Sequence, residues 1–141
     1  MKNYSRQREA ILSALRSTDT HPTAADVYKM VKQIIPNISL GTVYRNLSEL
    51  SAAGEILSIS VGDGTEHFDG DNSAHLHLHC NMCGSITDAR FEDAEIQRSA
   101  RAENFEPQCV VCVVYGICDS CKNSFEKADG ESDKSPSAEI N

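Results

Sequence analysis

Two Cys-x-x-Cys pairs, Cys80-Asn81-Met82-Cys83 and Cys118-Asp119-Ser120-Cys121, are separated by 34 residues and constrain the fold more than any other feature. A Cys-x-x-Cys turn offers two sulfurs at a bite suited to one ion, and Gly84 eases the backbone so that amides can face them. Four thiolates in a tetrahedron suit zinc and leave no position for a substrate, which predicts a structural metal. Such an ion would tie the start of a small C-terminal domain to its end and substitute for a core too small to hold alone. The competing reading is a pair of redox-active dithiols. A further pair, Cys109 and Cys112, has the same spacing but lies in a Val-rich run, where strand alternation would put its members on opposite faces. These two are predicted to be buried small hydrophobes.

The chain has six cysteines, and metal ligation by four of them presupposes reduced thiols. Residues 1–10 are polar and carry no apolar signal segment, so a cytoplasmic location is expected. No apolar run approaches the roughly 20 residues of a membrane span, and no membrane partner is expected. The net charge of -8 argues against a nucleic-acid partner, but the average hides two unlike halves. Residues 1–60 hold seven Lys/Arg against five Asp/Glu, and residues 61–141 hold six against sixteen. A DNA-binding module attached to a metal-binding one would look like this, as would two solvated surfaces of unequal charge.

Along the chain, Ser5 reads as the N-cap of a first helix ending near Ser17, with Ala10, Ile11, Ala14 and Leu15 at helical spacing. Thr23 caps a second, with Asp26 as capping-box partner and Val27, Tyr28, Val31, Ile34 and Ile35 as its stripe up to Pro36. Ser39 caps a third, running to about Ala53 with Gly54 as its stop. Residues 56–59 and 65–68 flank Val61-Gly62-Asp63-Gly64 and predict a β-hairpin. Helices followed by a hairpin give a winged helix-turn-helix over residues 1–69. Residues 70–74 are polar and predict a hinge. Residues 75–125 read as a small α+β domain, with a strand from His75, a strand from Ile86, a helix over 92–103 and a buried strand over 110–115. Residues 126–141 hold little that is apolar and predict a disordered acidic tail. The fold class is therefore α+β.

His75, His77 and His79 alternate along one strand and so share one face. Asp69 stands before them, and Asp88 lies on the strand that the first cysteine turn folds back against them. Imidazole with carboxylate suits ferrous iron or manganese, while zinc would be content with fewer ligands. His79 also reads as a cover over the edge of the cysteine site.

The chain resembles the ferric uptake regulator (Fur) family. The resemblance is carried by His21-Pro22-Thr23-Ala24, Ser39-Leu40-Gly41-Thr42-Val43-Tyr44-Arg45-Asn46-Leu47, Phe68-Asp69, His75-x-His77, Cys80-x-x-Cys83-Gly84 and Tyr115-Gly116-Ile117-Cys118-x-x-Cys121. It implies a DNA-binding homodimer whose C-terminal half is the dimerisation domain, a palindromic double-stranded operator, and a regulatory metal held by His21, Asp69, His75, His77 and Asp88. Asp88 resembles the peroxide-sensing PerR branch, since iron-sensing members usually carry Glu there. In that branch hydrogen peroxide oxidises a ligand histidine, here His21 or His75, and the chain is a sacrificial sensor and not an enzyme. An iron- or zinc-responsive repressor on the same scaffold is the alternative. For DNA, Tyr44, Arg45, Thr42 and Asn46 of the third helix are the candidates for contact, with Arg6, Arg8 and Lys2 as phosphate contacts. Core packing is the competing role for Tyr44. A small metallohydrolase would lack an obvious general base or substrate-cleft motif, and a zinc-ribbon interaction module would leave the third helix unexplained.

Overall fold

The computed structural model describes residues 2–132. Three helices come first: α1 (Lys2–Arg16), α2 (Ala24–Lys32) and α3 (Leu40–Ala52). The capping box of α2 is complete, with the Thr23 side chain accepting from the Asp26 amide and Asp26 accepting from the Thr23 amide. Ser39 caps α3 by accepting from the Thr42 amide. Such caps contribute about 1 kcal/mol each. The apolar stripes meet in one core containing Ile11, Leu15, Val27, Val31, Val43, Leu47 and Leu50.

Two helix boundaries differ from the sequence reading. Ser5 is no cap, because α1 begins at Lys2. The Tyr4 hydroxyl donates to Glu49 and Arg8 pairs with Glu55, and these contacts dock the first turns on the α3 side. Helix α2 stops at Lys32, since Pro36 disfavours helical backbone before it. Ile34 therefore leaves the stripe and is 55% exposed, while Ile35 remains buried.

The wing follows as β1 (Leu57–Ser60) and β2 (Glu66–Asp69), antiparallel with Ser60 opposite Glu66. Its loop turns on Gly62 and Gly64, at φ of 82° and 79°, where a Cβ would be strained. The predicted hinge is tied down on the N-terminal side. A Cβ at Gly70 would stand 2.9 Å from the Leu15 and Arg16 backbone, so this residue is packed against the end of α1. Asn72 then donates to the Gly54 carbonyl at 2.8 Å.

The remaining elements are β3 (Leu76–Cys80), β4 (Ile86–Ala89), α4 (Ala94–Ala102), β5 (Cys112–Gly116) and α5 (Asp119–Ser132). The sheet order is β4-β3-β5, with β4 antiparallel and β5 parallel to β3. The expectation of a buried strand over 110–115 is corrected: β5 is an edge strand, and Val114 and Tyr115 are 45% and 52% exposed. Cys109 and Cys112 are not a buried pair either. The parallel ladder begins with Leu76 opposite Cys112, so Cys109 precedes it and is exposed, while Cys112 is half-buried. The tail expected to be disordered from 126 is helical to Ser132, because Glu126, Lys127 and Ala128 are good helix formers continuing α5. Residues 133–141 of that tail lie outside the described residues.

Ile59 and Val61 of the wing pack with Ile86 of β4, flanked by Leu57 and Val113. This second apolar cluster presses the wing onto the three-stranded sheet, which sets the relation between the halves at the polar cluster described next.

Candidate metal centres

The four cysteines converge. Cys80 ends β3, Cys83 lies in the turn to β4, and Cys118 and Cys121 flank the start of α5; their sulfurs lie within 4.8 Å of one another. Cys83 Sγ and Cys118 Sγ are 3.8 Å apart. A tetrahedron with metal–sulfur distances of about 2.3 Å has edges of about 3.8 Å, so the set fits zinc. Gly84 takes φ 77°, and its turn lets amides approach sulfur. The Cys80 thiol is pulled down to about 6, chiefly by the main-chain amides of Cys83, Cys118 and Met82. Cys121 is pushed up to about 12, chiefly by its contact with Cys118. Four adjacent sulfurs cannot all ionise without a cation between them, which is the electrostatic demand that zinc meets.

The second cluster draws on both halves of the chain. His21 precedes α2, Asp69 ends β2, His75 stands just before β3, His77 lies in β3, and Asp88 lies directly opposite His77 in β4. Asp69 Oδ2 is 3.2 Å from His21 Nε2, 2.9 Å from His75 Nε2 and 3.1 Å from His77 Nε2. Asp88 Oδ1 is 2.7 Å from His21 Nε2 and 3.3 Å from His75 Nε2. Five donors around one ion at about 2.1 Å would have neighbouring edges of about 3.0 Å, so the spacing fits a single ion with more than four positions. His75 Nδ1 donates to the Ser73 carbonyl at 2.8 Å, which leaves its Nε2 lone pair facing the cluster.

Burial alone would raise the Asp69 carboxyl, but His21, the Asp71 amide, His77 and His75 more than offset it and hold it well below the usual carboxylate range. Burial likewise would lower His21, yet Asp69 and Asp88 win and raise it. His75 is raised in the same way, with the Ser73 carbonyl and Asp69 outweighing burial. His21, Asp69, His75 and His77 are all buried. Asp88 is partly open, facing a depression of about 790 Å³ lined also by Ser73, His75, Arg90 and Phe91. His79 does not join the cluster; its ring packs edge-on against Tyr115 at 5.5 Å, beside the cysteine site.

A sequence model of the ferric uptake regulator family matches residues 2–115. The chain belongs to the ferric uptake regulator family. It is 35% identical over 119 residues to the peroxide-responsive repressor PerR of Staphylococcus aureus, an alignment covering 83% of this chain and 80% of that protein. The solved peroxide stress regulator of Campylobacter jejuni is similar at a TM-score of 0.75 and 30% identity, over 84% of this chain and 91% of that one. The Pseudomonas aeruginosa ferric uptake regulator with manganese is similar at 0.64 and 32%, over 80% and 87%.

In this Fur-family chain the third helix presents Tyr44 and Arg45 to solvent. Asn46 is corrected: it is fully buried, because it falls on the same face as Val43, Leu47 and Leu50, and its Nδ2 donates to the Thr42 carbonyl. It is not placed to touch DNA. The Thr42 hydroxyl is engaged with Ser39 Oγ at 2.8 Å. Arg6 is exposed, Arg8 is half-buried in its pair with Glu55, and the Lys2 side chain lies outside the described residues. The sequence reading passed over His67, whose parity with Asp69 in β2 was the available signal.

Proposed function

We propose that this Fur-family chain is a DNA-binding transcription repressor, active as a homodimer on a palindromic operator, and released when hydrogen peroxide oxidises a ligand histidine. The five-donor cluster carries the reading, because its donors come from the loop before α2, the end of the wing and two strands of the C-terminal sheet. An ion held there fixes the orientation of the recognition helix relative to the sheet. The DNA-competent arrangement then no longer has to be selected from many, and affinity rises. Zinc is assigned to Cys80, Cys83, Cys118 and Cys121, and ferrous iron or manganese to His21, Asp69, His75, His77 and Asp88.

Ferrous iron bound there would supply electrons that split hydrogen peroxide. On this reading His21 or His75 would take up one oxygen atom, with the second leaving as water; the partly exposed Asp88 beside His21 supports access by a small oxidant. An oxidised ring no longer offers the Nε2 lone pair, so His21 or His75 lets go and the two halves uncouple. The chain is consumed, which makes it a sensor and not an enzyme, acting in the cytoplasm. Peroxide sensing is further supported by the likeness to the S. aureus and C. jejuni peroxide regulators.

The test is operator binding by the iron-loaded protein before and after peroxide, with peptide mass spectrometry. The expected result is loss of binding together with one added oxygen on His21 or His75, while the manganese-loaded protein keeps its operator affinity and unmodified histidines. Unchanged affinity and unmodified histidines after peroxide would overturn the peroxide reading in favour of an iron- or zinc-responsive repressor.

A further inference from the structure

His67, like His79, lies outside both clusters, and both of its ring nitrogens have polar partners. Nδ1 stands 2.9 Å from the main-chain carbonyl of His21, and Nε2 stands 2.8 Å from Asp63 Oδ2 in the wing loop. The ring is mostly shielded, at 14% side-chain exposure. The same stretch of β2 is stitched to the His21 loop by two backbone features: a β-bridge between Thr23 and His67, and the Phe68 amide donating to the Pro22 carbonyl at 2.9 Å. His21 itself takes φ 53°, a left-handed conformation uncommon outside glycine, at a modest cost that its surroundings offset. Its ring is fixed by Asp69 and Asp88, and its carbonyl by His67.

We infer that His67 is a positioning residue: it holds the strained main chain of the ligand His21 and joins it, through Asp63, to the turn of the wing. The hydrogen-bonded path runs from the five-donor cluster through the His21 peptide and the His67 ring to the loop over residues 61–65. Losing His21 from the ion relaxes its backbone and frees the His67 ring, so the wing turn loosens along with the ligand. The wing thereby senses the state of the cluster directly as well as through the hinge.

This inference rests on the five-donor site of the proposed function. The test uses the full chain with its zinc in place and manganese as probe, read by metal affinity and by amide exchange of the wing loop. In the wild type, manganese is expected to slow exchange at residues 62–65. In His67→Phe, which keeps ring volume and removes both hydrogen-bonding nitrogens, affinity is expected to fall about tenfold. At saturating manganese the wing is expected to exchange as in the metal-free chain. His67→Asn places an amide near the former Nδ1 and is expected to recover most of the affinity; His67→Gln reaches toward Asp63 instead and is expected not to. A His67→Phe protein with wild-type affinity and wing protection would overturn the inference and leave the site intact. So would equal behaviour of the Asn and Gln variants. A wild type that binds no manganese would overturn the site itself, and the coupling with it.

Discussion

Asn46 is a polar side chain placed where the helix packs hydrocarbon. Its Nδ2 finds the Thr42 carbonyl, but Oδ1 is buried with no hydrogen-bond partner among the described residues. An unpaired buried acceptor costs about 1–3 kcal/mol, so Asn46→Leu is expected to raise stability by about 1 kcal/mol in a urea titration while leaving operator affinity within twofold. The ligand histidines make opposite demands on pH. His21 and His75 are raised above their unfolded value of 6.5, so in the metal-free chain the protonated forms stabilise the fold. That contribution is complete below the unfolded value and lost as pH rises through the folded one. Metal needs the deprotonated Nε2, so its affinity runs the other way. Between about pH 6 and pH 9 the melting temperature of the zinc-replete, manganese-free protein is expected to fall while manganese affinity rises; parallel trends would contradict the assignment. Each member of the five-donor cluster except His21 was legible from alternation and from the fold-back at the first cysteine turn. His21 emerged from the family resemblance alone, since a histidine in a turn far upstream has no spacing to betray it.

At the scale of elements, the caps of α2 and α3, the glycine-based wing turn and the β3–β4 fold-back were written in local sequence and formed as read. What was not legible depended on partners distant in sequence. The start of α1 is decided by Glu49 and Glu55, and the exposure of β5 by its edge position in a sheet whose order no local pattern encodes. Gly70 reads as loop filler in the sequence and is a close-packed contact in the fold. Gly70→Ala is expected to destabilise the protein by about 1–3 kcal/mol, because the methyl meets backbone that cannot yield without moving the end of α1. The wing-to-sheet cluster predicts a second effect. Ile59→Ala removes a fully buried side chain from it and is expected to cost about 2–4 kcal/mol by denaturant titration. Manganese affinity should weaken with it, since the same packing brings His21 and Asp69 up to His75, His77 and Asp88.

Taken whole, the molecule carries two clusters of metal-ligating side chains, to which the proposed function gives two tasks. The cysteine site closes the C-terminal part on itself, so Cys83→Ser or a strong chelator is expected to release zinc and abolish cooperative unfolding of that part by circular dichroism. The histidine-aspartate cluster instead draws its donors from both halves of the chain. An ion there would tighten an arrangement already favoured by Ile59, Val61 and Ile86, so under the proposed function metal shifts a population and does not build a structure. The most direct measurement is operator affinity of the zinc-retaining protein, with the second site first emptied by a mild chelator and then filled with manganese. At least a tenfold gain on filling, abolished by Asp88→Ala, is the expected result. Equal affinity of the emptied and filled forms would contradict the claim that an ion shared by both halves aims the recognition helix.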